Sequence, residues 1–235
     1  MTPYVSALSL YGEWRLRVSC TGLPRYTFCS RVRDFPILAT QFQPRIVGIG
    51  GTLRAGSSSE KALRYTLVRA SQQGAATELL TGDAIDLPTY VPESPVQNEK
   101  ISRLVAALGG AHGIIVSSPG YHGSVSGMVK NALDYAEQLR DNKFPYFDGR
   151  AVGLIACAQG WQAAASTLST LRNMVHALRG WPTPLGVAFN TTVPAFGDGD
   201  SPLDAALARQ LDILAGQVLE YSLMRHRAGG ESAAQ

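Results

Sequence analysis

The feature that most constrains this chain is the regular alternation, from residue 45 onward, of short apolar runs with longer segments of helical periodicity. Arg45-Ile46-Val47-Gly48-Ile49-Gly50 is an apolar run closed by glycine, the pattern of a buried strand. A Gly/Ser-rich loop follows, then a predicted helix over 59–73 in which Leu63, Leu67 and Ala70 recur at helical spacing and Gly74 ends the element. The alternation repeats through strands at 77–80, 113–117, 151–157 and 184–189 and helices at 98–108, 126–139, 163–178 and 202–219. Strands separated by helices imply parallel pairing with right-handed crossovers. The expected fold is therefore α/β: a doubly wound, five-stranded parallel sheet with helices on both faces. The second strand is the least apolar and is placed near a sheet edge; the third is apolar throughout and is placed at the centre.

Composition narrows the function classes. With 45% hydrophobic and 17% charged residues over 235 positions, the chain has the apolar mass of a globular domain, and it lacks the ~20-residue apolar run of a membrane span. The net charge of +3 is confined to residues 1–44, which hold five arginines and two acids. The remainder is balanced, so no basic footprint for a phosphate backbone is evident and neither a nucleic-acid nor a membrane partner is expected. Cys20, Cys29 and Cys157 are odd in number and without CxxC spacing. They support neither a disulfide framework nor a zinc site, no metal is expected, and a reducing, cytoplasmic compartment fits.

The domain reading is an N-terminal extension over 1–44, a ligand-binding domain over 45–221 and a flexible C-terminal tail over 222–235. The extension lacks the basic start and cleavage site of a secretory signal. It reads as poorly ordered or as a start assigned too far upstream, with an arginine-rich transit segment as the weaker reading.

In open parallel sheets, ligands bind outside the carboxyl ends of the strands. Three loops lie there. The first, 50–59, combines glycines with Thr52, Arg54, Ser57 and Ser59 just ahead of a helix. Its backbone can approach a ligand, the helix start favours an anion, and a guanidinium can add a charge-assisted contact, so it reads as a phosphate cup. It is not a P-loop, which needs Gly-Lys-Ser/Thr, nor a dinucleotide fingerprint, whose third glycine would fall at Leu53. Ser57 and Glu60 can also form a capping box. The second loop, Pro119-Gly120-Tyr121-His122-Gly123, offers backbone polar groups and an aromatic ring to a planar heterocycle. The third, Gln159-Gly160-Trp161, offers a further wall, although Trp161 can equally cover the sheet end.

GGTLRAGSSSEKAL followed by SSPGYHGSVSGMVKNALDY resembles the NAD(P)H-dependent FMN reductase family of flavodoxin-like proteins. Met128–Asp134 matches the second family motif closely. The resemblance implies that Thr52, Arg54, Ser57 and Ser59 hold the FMN phosphate. It implies further that Pro119, Gly120, Tyr121, His122 and Gly123 line the isoalloxazine, and that Gln159, Gly160 and Trp161 form the opposite wall. No residue is assigned a catalytic role, because the flavin carries the hydride chemistry. Also implied are NADPH or NADH as co-substrate, a small acceptor such as free flavin or a quinone, and a homodimer or homotetramer. Departures from the family pattern are Thr52 for serine, Ser59 for asparagine, Gly120 for glutamate, His122 for asparagine and Ser126 where proline is common.

Two other classes remain open at this point. A flavodoxin-type electron carrier would bind protein partners, but the neutral body and the missing Thr/Ser-x-Thr-Gly-x-Thr loop disfavour it. A nucleotide-binding dehydrogenase could use Asp83 on a ribose, against the missing third glycine.

Overall fold

The computed structural model describes residues 42–93 and 97–232, together with two short strands, β1 (Ser6–Ala7) and β2 (Trp14–Arg15). β1 and β2 pair antiparallel within a unit, Met1–Gln41, distinct from the body of the chain. The extension and leader readings made for residues 1–44 fall mostly outside the described residues.

The body follows the predicted alternation: β3 (Arg45–Gly50), α1 (Ser58–Gln72), β4 (Ala76–Thr81), α2 (Glu99–Gly109), β5 (Gly113–Tyr121), β6 (Ser124–Val125), α3 (Gly127–Asp134), β7 (Ala151–Ala158), α4 (Trp161–Ala177), β8 (Trp181–Pro182), β9 (Val187–Asn190) and α5 (Ala205–Ser232). The sheet order is β4-β3-β5-β7-β8, with β9 also on β7 and β6 on β5. All pairings are parallel except β5–β6. β4 lies at the edge and β5 in the middle, where their apolar content placed them.

The sheet has seven strand segments rather than five, for two local reasons. The fifth strand is split: β8 pairs the start of β7, β9 pairs its end, and Pro182 and Pro184 on either side of Thr183 cannot donate to a ladder. β6 is the return arm of a hairpin at the tip of β5.

Alternation of side chains along the strands builds two cores. Val47, Ile49, Ile114, Val116 and Leu154 face α2, α3 and α4. Ile46, Ile115, Ile155 and Val187 face α1 and α5. The C-terminal reading needs correction. Residues 222–232 continue α5 rather than forming a flexible tail. Helical spacing carries the buried stripe Leu211, Leu214, Ala215, Val218 and Leu219 on to Ser222. Ser222 is buried and its hydroxyl lies 3.1 Å from the His112 carbonyl, which anchors the helix to the start of β5.

The predicted helix over 126–139 is α3 followed by a 3-10 turn at Tyr135–Leu139. Within it Asn131 pins the preceding loop: its amide oxygen accepts from Tyr90 N–H at 2.8 Å and its NH2 donates to the carbonyls of Leu87 and Pro88. The motif asparagine is thus a structural clamp on the proline-rich segment.

Candidate functional site

The strand order reverses direction between β3 and β5, and at their carboxyl ends lies a cavity of about 440 Å³. Its wall contains Thr52, Arg54, Ser57 and Ser59 from the first loop, Pro119 to Gly123 from the second and Gln159 from the third. Gly160 and Trp161 do not line it. Gly160 becomes the N-cap of α4 at φ 122°, with its N–H bonded to Asn190 Oδ1 at 3.0 Å, and Trp161 opens the helix with 64% of its surface exposed. Ser58, Cys157, Ala158, Ala163 and Thr191 line the cavity without having been singled out. Cys157 and Ala158 were accessible to the strand-end rule. Thr191 was not, because it arrives from β9, whose register depends on the interrupted fifth strand.

The first loop gathers hydroxyls, backbone N–H groups and a guanidinium just ahead of α1. Ser57 caps α1, its hydroxyl accepting from Glu60 N–H at 3.3 Å. Half of the expected capping box forms. The Glu60 carboxylate turns instead to Gly56 N–H at 3.0 Å and to Arg64 at 2.6 Å. Arg64 therefore neutralises the one buried carboxylate beside the cup, and also reaches Asp200. Thr52 Oγ1 accepts from Arg54 N–H at 3.1 Å, which fixes the local turn. The Arg54 guanidinium is exposed and has no ion-pair partner among the described residues. A free guanidinium, clustered hydroxyls and the unpaired N–H groups of a 15-residue helix start together favour a phosphate.

The second loop is a β-hairpin of two-residue turn length. Gly120 pairs Val125 and Tyr121 pairs Ser124, which leaves His122 and Gly123 as the turn. Both have positive φ, 52° and 81°, as a type I′ turn requires. Asparagine suits the first turn position and histidine tolerates it, so the turn admits this departure from the family pattern without explaining it. Gly120 has a packing reason. A Cβ there would stand 2.5 Å from Thr167 Oγ1 and 3.1 Å from Ala158 Cβ, so α4 occupies the space a side chain would need. Ser118 holds the hairpin base by accepting from Ser126 N–H at 3.0 Å.

Cys157 forms part of the inner wall. Burial pushes its thiol up to about 12, only partly countered by a hydrogen bond with Ser59, so it stays a neutral, unreactive group. Among the described residues no group of three or more His, Cys, Asp or Glu is placed to hold a metal. No helix among them is long and apolar enough to cross a membrane.

A family model described as NADPH-dependent FMN reductase matches residues 44–193. The FMN-dependent NADPH-azoreductase of Staphylococcus aureus (strain USA300) is 39% identical over 75 residues, 32% of this chain and 36% of that protein. The match thus spans about a third of the length of the curated relatives. Among solved structures, RosB with a bound 8-demethyl-8-formylriboflavin-5'-phosphate superposes with a TM-score of 0.63 at 14% identity, covering 81% of this chain and 86% of that one. FerB of Paracoccus denitrificans, a flavoenzyme NAD(P)H:(acceptor) oxidoreductase, gives 0.62 at 21% identity, covering 77% and 98%. At these identities the structural likeness is one of fold, and it is the doubly wound fold expected from the strand–helix alternation.

Proposed function

Since the chain belongs to the NADPH-dependent FMN reductase family, we propose that it binds FMN in the crevice at the carboxyl ends of β3, β5 and β7. There it would oxidise NAD(P)H and pass the reducing equivalents to a small acceptor. The observation that carries this reading is the convergence of the anion cup and the β5–β6 hairpin on a single cavity. The donor set fits the cofactor: Arg54, Ser57, Ser59 and the start of α1 suit a phosphate monoester, and the edges of Pro119–Gly123 suit a flat heterocycle. Hydride acceptance from a nicotinamide and onward delivery are the chemistry that FMN supplies when bound.

The chain's own residues position and shield. The Glu60–Arg64 pair keeps the cup preorganised without leaving a net negative charge beside a phosphate. The I′ turn at His122–Gly123 presents backbone at the cavity wall in a fixed geometry. Cys157 and Ala158 contribute a buried, largely apolar wall that keeps water from it. Tyr121, 52% exposed at the rim, leaves room for a second planar reactant to enter the same cavity, as sequential use by donor and acceptor requires. Free flavin, quinones and, by likeness to the azoreductases, azo compounds are acceptors of the right shape. Exposed Trp161 and Val193 lie on segments leaving β7 and β9 at the same end of the sheet, and support assembly as a homodimer or homotetramer.

The test is a flavin titration of the purified protein, followed by NADPH and NADH oxidation against a panel of these acceptors. Replacing Arg54 with Ala removes one charge-assisted contact, worth roughly 1.5–3 kcal/mol, and is expected to weaken FMN binding about 10- to 150-fold. FMN binding without turnover of either nicotinamide would turn the reading toward an electron carrier. Absence of both flavin binding and turnover would overturn it.

A further inference from the structure

A second cavity, of about 420 Å³, opens at the opposite end of the sheet, between the start of β5, the turn preceding β7 and the last turns of α5. The lining residues of the two cavities that lie nearest along β5 are His112 and Pro119, so at roughly 3.3 Å per residue the cavities are separated by about 23 Å. A ligand in one does not reach the other.

Its wall carries two guanidiniums against one carboxylate, Asp148, whose charge partly offsets the effect of burial on Arg150. Arg150 is 8% exposed and bonded to three carbonyls: Ala111 at 2.8 Å, Tyr146 at 2.7 Å and Gly109 at 2.8 Å. No carboxylate lies within ion-pair distance of it among the described residues. One of these carbonyls ends α2, so Arg150 also caps that helix; a helix terminus offers only about half a negative charge. A buried cation so placed lacks a full counter-charge, and burial accordingly lowers the Arg150 pKa.

Arg225 on α5 is the second guanidinium on this wall. It lies over Gly149, where a Cβ would approach its Nη2 to 3.0 Å, and the turn there needs φ of 73°. Glycine thus serves both the turn and the seating of the arginine. Arg225 likewise has no ion-pair partner among the described residues.

Two histidines complete the polar wall. His112 Nδ1 accepts from Arg45 N–H at 3.0 Å, so the neutral ring carries its proton on Nε2 and is a donor there. The His226 ring is stacked on Phe42, with centroids 3.5 Å apart and planes 5° from parallel. Asp148 is the single acid lining the cavity, against two guanidiniums, and Phe144, Ala111 and Ala228 supply apolar surface.

We infer that this cavity is a second binding site, for a small molecule that pairs an anionic oxygen group, carboxylate or phosphate, with an apolar body. The anion supplies the counter-charge that Arg150 and Arg225 lack, Nε2–H of His112 donates to it, and the apolar wall covers the rest of the ligand. The inference is independent of the flavin reading, because it uses none of the same residues.

The chain contains four histidines, which serve as reporters in proton NMR of the full-length protein. His112 and His226 report the new cavity, His122 the crevice at the other end, and His176 a remote helix. The protein is titrated with sodium benzoate and, separately, with sodium phosphate, at ionic strength held constant with sodium chloride. Saturable shifts of His112 and His226 with benzoate, while His122 and His176 stay in place, are the expected result. Arg225→Ala should raise the midpoint at least tenfold, with unchanged His122 and His176 resonances showing that the variant is folded. Saturation by benzoate alone identifies carboxylates as the source; saturation by phosphate, with the same loss in Arg225→Ala, identifies phosphates. Absent shifts at His112 and His226, equal shifts with chloride, or an unchanged midpoint in folded Arg225→Ala would each overturn the proposal.

Discussion

Replacing Gly120 with Ala tests whether the packing of α4 on the hairpin shapes the crevice proposed for FMN. The added methyl would sit 2.5 Å from Thr167 Oγ1, 3.1 Å from Ala158 Cβ and 3.3 Å from the Ala163 carbonyl. The first distance is well inside van der Waals contact, and the other two leave little room to retreat. The backbone of Gly120 is not left-handed, so the cost is one of space and not of conformation. Relief requires Thr167, fully buried, to rotate away from the Ser124 carbonyl it bonds at 3.3 Å, or requires α4 to move. Overpacking of this kind costs about 1–3 kcal/mol. For a body of this size that is a fall in Tm of roughly 2–12 °C, taking about 2–4 °C per kcal/mol. Thermal unfolding and FMN titration of Gly120→Ala, Thr167→Ala and the double variant form a cycle. Thr167→Ala alone loses one hydrogen bond, about 0.5–1.5 kcal/mol. If the clash is the cause, the double variant recovers most of the Gly120→Ala loss, with a coupling of about 1 kcal/mol or more. Strictly additive effects, or an unaltered Tm in Gly120→Ala, would refute the packing explanation.

Three further outcomes follow from the same geometry. His122→Gly or His122→Asn should stabilise the protein by about 0.5–1 kcal/mol in urea unfolding, because either residue tolerates the left-handed turn position better than histidine. Cys157 should resist iodoacetamide in the native protein at pH 8 and react once denatured, since its thiol titrates only near 12; mass spectrometry reads the difference. The native pKa of His112 lies below its ordinary 6.5, chiefly through burial and then through His226, Arg150 and Arg45. The unfolded chain therefore takes up this proton first as pH falls. The contribution is fully present above pH 6.5 and is lost below it, toward the depressed native value. His112→Gln should flatten that part of the stability–pH curve.

The local periodicities of this chain were sufficient for its layers. Strand–helix alternation, the apolar content of Ile114–Val116 against that of Thr77–Leu80, and the Gly/Ser loop ahead of α1 determined the parallel sheet, its centre and edge, and a donor-rich loop at the carboxyl end of β3. These are nearest-neighbour properties, set by side-chain period and by the unpaired N–H groups of a helix start. Where a reading failed, the cause lay far along the chain. The course of α5 past residue 221 depends on Ser222 meeting the His112 carbonyl, a contact across 110 residues. The absence of a side chain at Gly120 answers to Thr167 on another helix. Trp161 opens α4 outside the cavity lining, next to Gly160, whose N–H is bonded to Asn190 from across 30 residues. The cationic cavity at the far end was invisible in sequence, because Arg150, Arg225, His112 and His226 share no motif and meet only where α5 crosses the start of β5. Sequence period decides what an element is; which groups converge is decided by tertiary packing, which alone sets distances between residues that the chain keeps apart.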